Sequence, residues 1–136
     1  IPLVKPPWGR ITAIDLKVGE ILWQIPHGET PDNIRNHPLL TGVDLPRTGR
    51  VGRVGTLVTK TLVIAGEAGT FTTSSGEEGA MLRAYDKATG KVLWDTELPT
   101  GVTGAPMTYM FQGKQYIVVP IGGRDDPPEW LALGLG

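Results

Sequence analysis

Ala84-Tyr-Asp-Lys-Ala-Thr-Gly-Lys-Val-Leu-Trp94 repeats a stretch found 71 residues earlier, Ala13-Ile-Asp-Leu-Lys-Val-Gly-Glu-Ile-Leu-Trp23. Ala, Asp, Gly, Leu and Trp coincide in register across the eleven positions. The unit reads as a strand ending at Asp, a Gly-containing turn whose Asp bonds the backbone it has just left, and a second strand closed by Trp. A unit of this size cannot bury its own indole, so it needs a neighbour of the same kind, which is the mark of a repeat architecture.

Outward from the repeats, the apolar residues fall in short runs bounded by Gly, Pro or Asp. They are residues 10–15, 21–26, 53–59, 61–66, 81–86, 92–98, 104–111 and 115–121. Each has strand length, and Gln112-Gly113-Lys114 supplies a hairpin turn. With 19 Gly and 12 Pro in 136 residues, the chain reads as a turn-rich all-β protein with almost no helix.

Composition excludes several function classes. Thirteen basic side chains face 14 acidic ones, a net charge of -1, so no basic field is available to hold nucleic acid. Without cysteine there is no disulfide framework, thiolate metal site or Cys nucleophile, and two His leave little for zinc. No apolar run approaches the length of a membrane span. Gly49-Arg-Val-Gly-Arg-Val-Gly55 leads into a strand rather than a helix, so it is no phosphate loop, and Ser74-Ser75 lacks a nucleophile elbow. The N-terminus has neither an initiator Met nor a signal-peptide form, and reads as if cut from something longer.

The pattern A-x-D-x-x-T-G-K-x-x-W at Ala84–Trp94 resembles the tryptophan-docking motif of quinoprotein dehydrogenases that use pyrroloquinoline quinone (PQQ). Pro6-Pro-Trp-Gly9 with Thr12-Ala-Ile-Asp-Leu16, Thr103-Gly-Ala-Pro-Met-Thr-Tyr109, and Gly113-Lys-Gln-Tyr-Ile-Val-Val-Pro-Ile-Gly-Gly123 are similar to the C-terminal blades of its glucose- and alcohol-dehydrogenase branch. Together these cover roughly four-fifths of the chain. The resemblance implies β-propeller blades in which each Trp packs between neighbours. On it, residues 1–26 give strands C and D of one blade, 53–98 a complete blade, and 103–123 strands A and B of a third. That makes a single partial propeller over 1–136, which cannot close a ring alone. A fragment, a piece completed by another chain and an open two-sheet module all satisfy this count.

Antiparallel order places the long connections 27–52, 67–80, 99–104 and 122 onward at one end, with the docking turns at the other. Read through the resemblance, that end faces the cofactor. Arg53 opens an inner strand and could form bidentate contacts to one of the three PQQ carboxylates, with Thr56 beside it; solvating a loop or pairing with Glu67 is the structural alternative. Arg124 stands where the sugar-oxidising branch carries His, which argues against glucose; Asp125 follows it, and a solvated turn is the alternative. Trp130 and Trp8 line or cap the same end. Glu77 and Glu78 lie within one or two residues of an acidic position in relatives, which aligns with Gly79, and otherwise form a solvated tip. His37, a lone imidazole beside Pro38 in a polar loop, could act as a base; with no carboxylate placed beside it, a structural or exposed residue is the favoured reading.

The resemblance implies PQQ and Ca²⁺ as cofactors, the calcium ligands and the catalytic Asp lying outside this segment, which by itself would be inactive. The implied activity is oxidation of a sugar or alcohol by hydride transfer to the quinone, in the periplasm or on the periplasmic face of the inner membrane. Partners would be the remaining blades and a respiratory electron acceptor. The rival is a non-catalytic propeller scaffold, since fold does not fix function. Open blades leave apolar faces without partners, which predicts self-association of the isolated segment. Sedimentation should show oligomers; a monomer unfolding cooperatively at high temperature contradicts the expectation.

Overall fold

Both repeats fold as hairpins capped by their own aspartate. The first joins β1 (Arg10–Asp15) to β2 (Glu20–Pro26). Asp15 Oδ1 accepts from the Lys17 amide at 2.8 Å, and the Gly19 amide donates to the Asp15 carbonyl at 2.7 Å. In the second hairpin, Asp86 Oδ1 accepts from the amides of Ala88 and Thr89 and from the Thr89 hydroxyl, at 2.8–2.9 Å. Gly19 and Gly90 close the turns at φ of 75° and 74°, a region that strongly favours glycine.

The computed structural model describes residues 3–135, and the chain is all-β as the sequence implies. Between the hairpins come β3 (Thr56–Val58), β4 (Leu62–Gly66) and β5 (Phe71–Thr72), and the second hairpin is β6 (Glu78–Asp86) with β7 (Val92–Leu98). Strands β3, β4, β6 and β7 pair antiparallel in that order, the arrangement of a propeller blade, and β5 adds a short strand at the start of β6. The third sheet holds β8 (Met107–Phe111), β9 (Lys114–Ile121) and β10 (Glu129–Leu135). Its third strand lies past residue 123: Leu131 and Leu133 alternate with Trp130 and Ala132, and the alternation pairs with Val119 and Ile117 on one face.

The sheets stack in chain order. Ile11 and Ile25 of the first pack on Val63, Ala65 and Tyr85 of the second. The opposite face of the second sheet, with Ile64, Leu82 and Leu98, packs on Ile117, Val119 and Ile121 of the third, with Val102 between. Trp23 ties the first interface: its indole N–H donates to the Lys87 carbonyl at 3.0 Å, and its ring lies over Gly90. A Cβ on Gly90 would stand 2.9 Å from the ring, whereas Gly19 has nothing within 4 Å. Trp94, which has the place of Trp23 in the second repeat, is 45% exposed. Met107, Tyr109, Phe111 and Trp130 are exposed on the face of the third sheet turned away from the second.

Gly90→Ala and Gly19→Ala suffer similar backbone strain, and only the first meets an indole. Urea denaturation is expected to show Gly90→Ala less stable than Gly19→Ala by about 1–3 kcal/mol.

Candidate functional site

Each strand direction puts one set of connections at a common end. β3, β6, β8 and β10 start there, and β2, β4, β7 and β9 finish there, as the pairings Thr56↔Ala65, Ala80↔Leu98 and Ile121↔Glu129 require. The loop from His27 to Gly55 enters and leaves this end through a crossing of three chain segments. The His27 amide donates to the Gly9 carbonyl and the Arg50 amide to the His27 carbonyl, both at 2.9 Å, and the Trp8 amide donates to the Thr48 carbonyl at 2.8 Å. Gly9, Gly28 and Gly49 meet there with no room for a Cβ, so the residues flanking them, Trp8 and Arg50, are held firmly.

A buried ionic cluster holds the loop to the second sheet. Arg83, in the middle of β6 and 1% exposed, donates through Nη1 to Glu67 Oε1 and through Nη2 to Glu29 Oε1 at 2.6 Å. Glu67 Oε2 accepts from the Glu29 amide at 3.1 Å. Burial by itself would lower the Arg83 guanidinium; the charge and hydrogen bond of Glu67, then Tyr85 and Glu29, more than reverse this, so it stays protonated. Arg35 of the short helix α1 (Asp32–Arg35) extends the cluster to Glu29 and Asp32, and Asp32 accepts from the Thr72 amide at 2.9 Å.

His27 is buried beside the cluster. Its Nε2 lies 2.9 Å from the Gly66 carbonyl, so that nitrogen donates, and Nδ1 accepts from the Tyr85 hydroxyl at 3.0 Å. Burial lowers its pKa from 6.5 and keeps it neutral; burial likewise raises that of Tyr85. Glu97 is held down to about 2 by the Ser74, Ser75 and Thr73 hydroxyls and pins the turn before β6.

Arg53 precedes β3, exposed and without an ion-pair partner among the described residues; Glu67 is engaged by Arg83 instead. Thr56 is the first residue of β3. Arg124 follows β9, where a cavity of about 340 Å³ joins it to Glu78, Asp125, Asp126 and Thr100. Asp126 accepts from the Thr100 hydroxyl at 2.6 Å, and Glu78 accepts from that of Thr70. The structure thus brings Arg53, Thr56 and Arg124 to one end, across neighbouring sheets that touch where Gly55 meets Ala105. Trp130 stands apart, in β10, 71% exposed on the outer face of the third sheet. Glu77 lies in the turn before β6, and its carbonyl accepts from Thr73. His37 caps a 3-10 turn, accepting from the Leu39 amide at 3.2 Å. Among the described residues no group of three His, Cys, Asp or Glu is placed to hold a metal ion.

Residues 1–117 match the family described as PQQ: Glucose/ethanol/alcohol dehydrogenase, beta-propeller domain. The chain is 38% identical over 135 residues to a probable quinate dehydrogenase (quinone) of Xanthomonas campestris pv. juglandis, covering 95% of this chain and 15% of that protein. It is 37% identical over 128 residues to the quinoprotein glucose dehydrogenase of Gluconobacter oxydans (strain 621H), covering 94% and 15%. Among solved structures, the quinohemoprotein alcohol dehydrogenase of Comamonas testosteroni superposes with a TM-score of 0.53 at 29% identity, over 83% of this chain and 12% of that one. The chain therefore spans about 15% of the length of the curated relatives it matches.

Removing one partner of the cluster strands a buried charge. Arg83→Met is expected to destabilise the fold by about 3–5 kcal/mol, and adding Glu67→Leu should recover part of the loss in the same denaturation experiment. For His27 the folded pKa lies below the unfolded 6.5, so on acidification through that value the unfolded state takes up the proton first and stability falls. Urea midpoints measured between about pH 7.5 and 5.5 should drop in the parent chain and lose this slope in His27→Gln.

Proposed function

The chain belongs to the PQQ-dependent glucose/ethanol/alcohol dehydrogenase β-propeller family, and from that premise we propose that it forms one wall of the cofactor funnel of an enzyme oxidising a sugar or alcohol. The observation that carries this reading is the family match over residues 1–117, joined to the gathering of Arg53, Thr56 and Arg124 at one end of adjacent sheets. In the relatives' size range most of the protein lies outside this segment, so the activity belongs to the whole molecule.

The residues present fit a cofactor of this kind. Arg53 and Arg124 are exposed and form no salt bridge among the described residues, so their guanidinium forks are free for carboxylates, and Thr56 offers a hydroxyl at the start of the inner strand. When bound, PQQ would accept the hydride from the substrate carbon, with Ca²⁺ held elsewhere in the protein acting as Lewis acid on its carbonyl. The part of this chain is to bind and orient: Arg53 and Arg124 fix the anionic edge, and the sheets behind them exclude water. Trp130 is the fourth residue of the set, and its part would be played on the outer face of the third sheet, where further sheets would meet it. Trp23 and Trp94 dock sheets to one another on the same reading. The protein works in the periplasm or on the periplasmic face of the inner membrane, and passes electrons to a respiratory acceptor.

Tryptophan emission of the complete protein should be quenched by PQQ with Ca²⁺. Arg53→Ala and Arg124→Ala should each weaken that binding roughly tenfold. Absence of quenching at saturating PQQ overturns the dehydrogenase reading in favour of a scaffold, and unchanged affinity in both variants removes those residues from the site.

A further inference from the structure

The turn between β9 and β10 carries Arg124 and Asp125 at its tip, closed by the Gly123 amide donating to the Asp126 carbonyl at 3.2 Å. Pro127 and Pro128 follow, each with its φ fixed by the ring, so the returning arm has little freedom. A Cβ on Gly122 would stand 3.2 Å from the Pro128 Cα, so the two arms also touch. All of these contacts lie within the third sheet and its own turn. None reaches the second sheet, which carries Thr56 and, just before it, Arg53.

The connection from β7 to β8 supplies the link. Its backbone runs beside the end of β9: the Gly122 amide donates to the Gly101 carbonyl and the Thr103 amide to the Pro120 carbonyl, both at 2.9 Å. Past Gly122, one hydrogen bond between connection and turn remains among the described residues, from the Thr100 hydroxyl to Asp126 Oδ2 at 2.6 Å. A hydroxyl-to-carboxylate bond of this length belongs to the strong, charge-assisted class. Thr100 is buried just past the end of β7 in the second sheet, whereas Asp126 is exposed. Gly123 lies under the pair, where a Cβ would stand 3.1 Å from Asp126 Oδ2 and 3.4 Å from Thr100 Oγ1. Asp126 lines the cavity of Arg124 and forms no salt bridge with it, so the carboxylate is held by Thr100 while the guanidinium is left free.

We propose that Thr100 and Asp126 are positioning residues for Arg124. Their hydrogen bond anchors the tip of the turn to the end of the second sheet, and so sets Arg124 in register with Arg53 and Thr56. An exposed arginine on a turn that can swing must give up that freedom when it binds, and a turn already anchored has less to give up. The inference rests on the cofactor reading of Arg124.

The affinity of the complete protein for PQQ, read by quenching of tryptophan emission, tests it. Thr100→Val removes the hydroxyl at nearly constant shape and should weaken PQQ roughly fivefold, and Thr100→Ser should restore the parent affinity. In an Arg124→Ala background, Thr100→Val should add no further loss, because the two residues act through one interaction. The exposed side of the bond carries the test if Thr100→Val fails to fold. Asp126→Asn and Asp126→Ala both remove the charge and only the amide keeps an acceptor, so the alanine variant should bind PQQ roughly fivefold more weakly than the asparagine one. Equal affinity in the parent and Thr100→Val, equal affinity in the two Asp126 variants, or a loss from Thr100→Val that is as large without Arg124 as with it, overturns the proposal. If Arg124→Ala itself leaves PQQ affinity unchanged, the proposal falls together with the role of Arg124, while quenching by PQQ and its response to Arg53→Ala still decide the rest of the cofactor reading.

Discussion

Arg83 is the constraint on which the loop end of the molecule depends. A guanidinium in the middle of an apolar strand is tolerable only if its charge is answered within hydrogen-bond distance, and Glu67 and Glu29 answer it from two directions. Glu67 directly follows β4, where its carbonyl also accepts from the amide of Val102, which bridges to Ile121 of the third sheet. Glu29 belongs to the long loop. One buried charge therefore fixes the loop to the second sheet, and the residue that answers it also joins the second sheet to the third.

The apolar contacts give the stack its mass and the polar ones its register. Ile64, Leu82 and Val119 would tolerate a sliding of sheets past one another at modest loss, because such contacts have little direction. The hydrogen bond from Trp23 to the Lys87 carbonyl and the bond between His27 and the Gly66 carbonyl would not. Both cross from the first sheet or its loop to the second, so the position of Trp8 and Arg50, which the loop holds, follows from bonds made by other residues.

Much of the fold was legible because the repeat is local: an Asp, a Gly and a Trp within eleven residues specify a hairpin and its need for a neighbour. The strand β10 was not, although Glu129–Leu135 alternates as a half-buried strand should, because Pro127-Pro128 and the run of Asp before it read as a tail. For the site, antiparallel order alone sufficed to bring Arg53, Thr56 and Arg124 to one end. The ionic cluster lay beyond such reasoning, since Glu29 and Arg83 are 54 residues apart and nothing local pairs them. Its one visible trace was a charged residue inside the apolar run Met81–Asp86.

The difference between Gly90, covered by an indole, and Gly19, open, gives the stack a polarity. Each repeat offers a plug on one face and a receptacle on the other, and among the described residues only Trp23 and Gly90 are matched. Sheets can then be added in one direction only, and a reversed sheet would set plug against plug. Growth of such a stack proceeds like a zip with teeth on one side, so its characteristic error is a skipped sheet and not an inverted one.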